Sequence, residues 1–273
     1  MTNSEPAPPR HRHRPNRRGT AVAVVLCAGQ GSRMGGERNK ILLPLGDRPL
    51  FIHAVEAFER AATIAEILLI AHPREVELCG ELARRYGMRK VRAVLPGGST
   101  RHQSEWRALC ALRDRILSDE VAVVVLHDGA RPFISQRAIA AITRSAREVG
   151  GAVPAMLLDA GEVVVELEAG QRVARIFPAG QLWRAQTPQA FAARTLLSAY
   201  ELAARDGFEG TDTAASVERA GGQVRIIAGS ARNIKVTTPA DLTRAESMLR
   251  SRLRSAAHEL GHASSAIVPR PSR

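Results

Sequence analysis

The sequence predicts a three-layer α/β protein, a doubly wound and mostly parallel sheet from which a β-hairpin arm protrudes. Three observations carry that expectation. Apolar runs of strand length alternate with helical patterns through the first half of the chain. The connections are long enough to hold helices, which makes successive strands parallel with right-handed crossovers. Glycine-bearing polar segments follow several of the apolar runs, where the ligand crevice of such a sheet lies.

Residues 21–26 are a continuous apolar run and read as a buried strand. A helix at 50–62, a strand at 66–71, a helix at 74–86 and a strand at 91–95 follow. The alternation continues with a helix at 104–118, a strand at 121–126, a helix at 136–148 and a strand at 152–154. Between 157 and 179 the pattern changes, because 162–167 and 172–177 flank the turn Glu168-Ala169-Gly170-Gln171 and read as a hairpin. An isolated two-stranded hairpin is marginal in water, so this arm needs a surface to pack on. Helices at 193–204 and 212–220, short strands at 223–228 and 234–236, and a terminal helix at 239–254 with Thr238 as N-cap complete the chain.

The 273 residues are 45% hydrophobic, ample for a core, and carry a formal charge of +12. Residues 1–19 and 250–273 each hold five arginines against one glutamate, so the two ends account for eight of those charges and about four remain between them. Residual charge of that size suits an enzyme with phosphorylated substrates. A nucleic-acid module is disfavoured, since the charge lies in the tails and only two Trp and two Tyr are present for stacking. The N-terminal segment is rich in Pro, His and Arg and lacks a secretory apolar stretch; it reads as a disordered extension, with a transit peptide or a nucleic-acid-binding arm as alternatives. The expected organisation is therefore a basic tail at 1–19, one domain at 20–250 with its arm at about 157–179, and a second disordered tail at 255–273. Cys27, Cys79 and Cys110 lack metal-site or redox spacing and are expected as reduced thiols. No apolar run reaches membrane-spanning length, so a cytoplasmic protein without membrane contact is expected.

The segment Leu26-Cys27-Ala28-Gly29-Gln30-Gly31-Ser32-Arg33-Met34, with Lys40 beyond it, reads as a phosphate-handling loop. Gly29 and Gly31 let backbone N–H groups approach anionic oxygens, and Arg33 and Lys40 supply positive charge. The spacing is neither G-x-G-x-x-G nor G-x-x-x-x-G-K-[ST], which excludes those hydride-carrier and ATP-motor readings. Read alone, the segment is also compatible with a plain strand-to-helix turn, Arg33 with a solvated helix-start arginine and Lys40 with a surface lysine. Three further segments extend the pattern: His127-Asp128-Gly129-Ala130-Arg131-Pro132, Ala185-Gln186-Thr187-Pro188-Gln189 and Asn233-Ile234-Lys235-Val236-Thr237.

With these four motifs in order over about residues 20–250, the chain resembles the alditol-phosphate cytidylyltransferases, and within them those that use 2-C-methyl-D-erythritol 4-phosphate. The resemblance implies a Rossmann-like nucleotidyltransferase fold, CTP and an alditol phosphate as substrates, Mg²⁺ as cofactor, and a homodimer whose arm reaches the second subunit. It assigns Arg33, Lys40 and Lys235 to catalysis, and Ala28, Gly29, Gly31, Gly98, Arg101, Ser104 and Asp128 to CTP. Thr187, Thr211 and Asp212 fall on its acceptor side. Other acceptors, such as ribitol 5-phosphate, and a nucleotide-binding paralogue without turnover stay as alternatives.

The residue types agree with that chemistry while keeping plainer readings. Attack of a phosphate oxygen on the α-phosphorus of CTP needs positioning and charge neutralisation, not a covalent intermediate. Asp128, at a strand end, can orient a ribose hydroxyl or hold Mg²⁺, or cap the next helix; Arg131 would anchor its loop. The loop Gly97-Gly98-Ser99-Thr100 with Ser104 can read a pyrimidine edge, or be a turn and N-cap. A lysine such as Lys235 in an apolar run calls for an anionic partner, and a phosphate is a natural one. Asp212 also fits an N-cap, and Thr187 and Gln189 a buried turn. The chain departs from the family where Ala160 and Ala179 stand in place of a Thr and of an Arg that grips the acceptor phosphate. Loss of such a charged hydrogen bond costs about 1.5–3 kcal/mol, and Arg175 is the candidate substitute.

Overall fold

A computed structural model describes residues 19–29, 39–159, 161, 164–168, 172–177, 180 and 182–265. Gly31, Arg33, Ala160, Ala179 and the ends at 1–18 and 266–273 lie outside the described residues.

Strand β1 (Thr20–Cys27) is the centre of an eight-stranded sheet, because its valine and alanine run is apolar on both faces. It pairs in parallel with β4 (Glu66–Ala71) on one side and β6 (Val121–Asp128) on the other. Beyond β4 lies β5 (Val91–Pro96), again parallel. Helices α1 (Leu50–Glu59), α2 (Val76–Arg85) and α3 (Arg101–Leu117) make the crossovers. Past β6 come β11 (Gln189–Ala192) and β7 (Gly151–Leu157), with β10 (Trp183–Ala185) and β12 (Arg225–Ala228) also pairing with β7. Strands β10 and β11 run antiparallel to their neighbours, so the sheet is mixed but mostly parallel, as expected.

The two faces of β1 account for the three layers. Ala23, Val25 and Cys27 pack with Phe51 of α1, Cys79 of α2, Ile139 of α4 (Gln136–Val149) and Ala245 of α7 (Pro239–Ser265). Val22 and Val24 face the other way, onto Leu109 of α3, Leu196 and Tyr200 of α5 (Ala193–Asp206) and Val217 of α6 (Thr213–Arg219). Alternation on the pleat divides one apolar strand between two cores. Outside this sheet, β2 (Pro44–Leu45) pairs with β3 (Arg48–Pro49), and β8 (Val164–Glu168) with β9 (Arg172–Phe177) as the expected hairpin.

The structure corrects several boundaries. Residues 234–236 are not a strand: Val236 N–H donates to the Ala130 carbonyl at 2.9 Å, which ties this extended segment to the loop after β6 instead of to a ladder. Strands β10 and β11 flank residues 186–188, where only a polar turn was expected; four residues, Gln-Ala-Phe-Ala, are too few to show a strand period. Helix α3 starts at Arg101, three residues before Ser104, because the Thr100 hydroxyl caps it by accepting from Gln103 N–H. Helix α7 continues to Ser265, past the expected end at 254; it begins with a reciprocal cap in which Thr238 N–H donates to Asp241 and Asp241 N–H to the Thr238 hydroxyl.

Candidate active site

A cleft of about 500 Å³ opens at the carboxyl ends of β1, β5 and β6. The chain winds to one side of β1 through β4 and β5 and then returns to β6 on the other, so the cleft lies at the topological switch point of the sheet. Its lining includes Ala28 and Gly29 after β1, Lys40, Gly98 and Arg101 beyond β5, and Asp128 and Lys235. Among the described residues nothing would obstruct a Cβ at Gly29, whereas one at Gly98 would stand 2.4 Å from Gln103 Cβ. Lys40 opens a short 3-10 turn, Lys40–Leu42, that Asn39 holds from below. The Asn39 side chain accepts from Ile41 N–H at 3.3 Å and donates to Glu75 at 2.7 Å.

The loop after β5 is held by α3. Ser104 Oγ accepts from Gly98 N–H at 3.1 Å and donates to the Thr100 carbonyl at 2.9 Å, so this hydroxyl shapes the glycine loop. Arg107 Nη1 donates to the carbonyls of Pro96 and Gly97 at 3.1 and 2.8 Å. The N-terminal turn of α3, with the positive end of its dipole, therefore lines the cleft in a fixed pose.

Asp128 is buried beneath the opposite wall and is surrounded by cations. Arg101 Nη1 hydrogen-bonds its Oδ1, while Lys235 Nζ and Arg131 Nε lie 2.9 and 3.4 Å from Oδ2. Burial alone would raise the pKa of this carboxyl, but Arg101, Lys235 and Arg131 together hold it well below the usual carboxylate range. The anionic partner expected for Lys235 is thus Asp128, and 40% of that lysine side chain stays exposed at the cleft. Arg131 anchors the loop as expected, donating to the Asn233 carbonyl at 2.7 Å. With both oxygens engaged by cations, Asp128 does not fit as a direct Mg²⁺ ligand. No cluster of three or more His, Cys, Asp or Glu that would hold a metal occurs among the described residues.

The expected acceptor residues do not line this cleft. Thr187 is buried and its Oγ1 accepts from Asp128 N–H at 3.1 Å, with His127 Nδ1 also 3.1 Å away. Asp212 is the N-cap of α6, accepting from Ala215 N–H at 3.0 Å, and it also accepts from Gln189 Nε2 at 3.1 Å. Thr211 is exposed just before that cap. Arg175 lies on the exposed arm with its guanidinium 4.7 Å from the centre of the Phe177 ring.

A family model described as 2-C-methyl-D-erythritol 4-phosphate cytidylyltransferase matches residues 21–251. The chain belongs to this family. It is 38% identical over 231 residues to the 2-C-methyl-D-erythritol 4-phosphate cytidylyltransferase of Geobacillus kaustophilus, covering 85% of this chain and 97% of that one. Its counterpart in Geotalea uraniireducens is 40% identical over 231 residues, covering 84% and 97%. Among solved structures, the enzyme of the same name from Thermus thermophilus superposes with a TM-score of 0.65 at 30% identity, covering 83% and 98%. The 4-diphosphocytidyl-2C-methyl-D-erythritol synthase of Anaerococcus prevotii shares the fold, with a TM-score of 0.72 at 24% identity over 85% and 96%.

In this cytidylyltransferase family member, sequence reading missed four side chains that shape the cleft. Asn39 and Arg107 hold its two loops, and His72 lines its wall. Glu105, 1% exposed, lies one helical turn from Arg101 and pairs with it. Its signal was an i, i+4 Arg–Glu spacing, which on most helices marks only a solvated ion pair. His127 belongs to the frame: burial pushes its pKa down to about 4, and Nε2 lies 3.0 Å from the Arg131 carbonyl.

Proposed function

We infer that the protein transfers CMP from CTP to 2-C-methyl-D-erythritol 4-phosphate, releasing pyrophosphate and forming the CDP-alditol of non-mevalonate isoprenoid precursor biosynthesis. The observation that carries this reading is a switch-point cleft bearing Lys40, Lys235 and two glycine loops, in a chain that matches the family along residues 21–251. An oxygen of the acceptor phosphate attacks the α-phosphorus, the bond to the β-phosphate oxygen breaks, and pyrophosphate leaves with the electron pair. Lys40 and Lys235 neutralise charge that grows on the phosphates, and the resemblance adds Arg33. The backbone of Gly97, Gly98 and Ser99 reads the cytosine edge, with Ser104 and Arg107 keeping that backbone in place.

The Mg²⁺ expected with CTP would supply charge neutralisation on the triphosphate when bound, and Asp128, with both oxygens held by cations, would not hold it directly. The proposed assembly is a homodimer joined through the arm, working in the cytoplasm. In accord with that location, no helix among the described residues is long and apolar enough to cross a membrane. Ala160 and Ala179, in place of the family's Thr and Arg, keep a second reading open, that of another alditol phosphate such as ribitol 5-phosphate. Pyrophosphate release measured with four nucleotides and a panel of alditol phosphates tests both. CTP with methylerythritol phosphate should be the fastest pair; equal rates with CTP, ATP, GTP and UTP would overturn the assignment.

A further inference from the structure

Glu105 takes no part in the chemistry described above, yet it is among the most enclosed charged side chains in the protein, at 1% exposure. Thr213 Oγ1 of α6 donates to its Oε1 at 2.8 Å, and the Tyr200 hydroxyl of α5 donates to its Oε2. Tyr200 is fixed in turn. Its ring stacks on His102 with centroids 4.5 Å apart and on Trp106 at 6.4 Å, both on α3 beside Glu105. Two neighbouring helices thus lock the carboxylate in one pose, and among the described residues it meets one cation: Arg101 Nε lies 2.9 Å from Oε1, an ion pair whose N–H is not aimed closely enough for a hydrogen bond.

Arg101 therefore sits between two carboxylates, Glu105 behind it and Asp128 in front. A buried guanidinium with a single carboxylate partner tends to take both of its oxygens in a fork. Here Arg101 takes only Oδ1 of Asp128, and Oδ2 is left to Lys235 at 2.9 Å and Arg131 at 3.4 Å. Among the described residues, three cations face two carboxylates in this cluster, and Lys235 is its most exposed member.

We propose that Glu105 is a positioning residue for nucleotide binding: it draws the Arg101 guanidinium off Oδ2 of Asp128, so that this oxygen holds Lys235 at the cleft wall. The proposal rests on the reading of the cleft as a CTP site. It opposes a simpler effect of opposite sign. If Glu105 acted only as a negative charge near a polyanion, removing it would tighten CTP; if it positions Arg101, removing it weakens CTP.

Glu105→Gln keeps the shape and removes the charge. Calorimetric titration of the full chain with CTP should show Kd rising about tenfold, with the acceptor KM changed less than twofold. Tyr200→Phe, which removes one donor from Glu105 outside the cleft, should raise Kd two- to threefold and add little in the double variant. Unchanged or tighter CTP binding by folded Glu105→Gln would overturn the proposal, even with a lower Tm, since a merely structural glutamate would lower Tm alone. Should Glu105→Gln fail to fold, unchanged CTP affinity in both Tyr200→Phe and Thr213→Val would overturn it instead. An unaltered chain that binds no CTP would overturn the nucleotide reading, and the proposal with it; a chain that binds CTP with no response to these variants overturns the proposal alone.

Discussion

A carboxyl as deeply buried as Asp128 would ordinarily keep its proton, and only the three cations around it reverse that preference. Asp128→Asn leaves Arg101, Arg131 and Lys235 facing a neutral amide, and removing one partner of a buried charge cluster costs about 3–5 kcal/mol. Urea denaturation should show a loss of that size, together with lost CTP binding. His127 carries the pH prediction. Its native pKa, lowered from 6.5 to about 4 by burial, lies below that of the unfolded chain. Between those values the unfolded chain takes up a proton that the native state refuses, so stability present above pH 6.5 falls as pH drops toward 4, by up to about 1.4 kcal/mol per unit. Burial lowers His53 and His102 as well, so His127→Gln should reduce the slope of unfolding free energy against pH without abolishing it. An unchanged slope would clear His127 of that role. Lys40→Ala should cut turnover at least a hundredfold with little change in Tm, since it stands at the cleft surface and not in the core. Single residues such as Lys40, Asp128 and Lys235 were legible because a charge beside an apolar run needs a reason. Their partners were not, because Arg101 and Thr187 reach Asp128 from 27 and 59 residues away.

At the scale of elements, α3 does more than cross from β5 to β6. Thr100 caps it, Ser104 and Arg107 reach back from its first two turns, and the glycine loop takes its shape from them. Gly98 admits no side chain: a Cβ there would lie 2.4 Å from that of Gln103, in the turn that Thr100 caps. Gly98→Ala must push the loop off the helix, and the CTP KM should rise about tenfold, equivalent to roughly 1.4 kcal/mol. The same substitution at Gly29, where nothing among the described residues lies within 4 Å, should leave folding unchanged, and thermal melts of the two variants check the contrast. The start of α3 was misplaced in the sequence because Gly-Gly-Ser-Thr is turn chemistry and capping chemistry at once. Strands β1, β4 and β6 were legible for the opposite reason: they are buried on both faces, so the apolar run is unbroken. Strand β11 is just as buried but only four residues long, and it pairs antiparallel with β6, a placement that only the assembled sheet decides.

For the molecule as a whole, the cleft is built from the sheet of one chain, and the arm is the part that the proposed dimer would cover. Strands β8 and β9 form a ladder of their own, on which Val165 and Ile176 are register partners and are 42% and 63% exposed. Val173 adds a third exposed apolar side chain on β9, at 54%. Exposed apolar side chains grouped on a two-stranded ladder call for a covering surface, and in a symmetric pair the same arm supplies and receives it. The cleft with Lys40 and Lys235 lies at the sheet, and none of the described residues of the arm is part of its lining. Substituting both Val165 and Ile176 with Asp places two like charges opposite each other across the ladder and removes the apolar pair. If the proposed dimer forms through the arm, sedimentation should show the unaltered chain as a dimer and this variant as a monomer. Kinetics on the same preparation should show a higher acceptor KM, while the Kd for CTP stays within twofold of the unaltered chain. Arg175→Ala alone separates the two functions proposed for the arm: it should raise the acceptor KM without dissociating the proposed dimer, because its guanidinium stands over Phe177 on the strand and belongs to no apolar pair. A dimer that survives the double substitution with an unchanged acceptor KM would mean that the arm joins no second subunit and that the phosphate of the acceptor is held from within the chain.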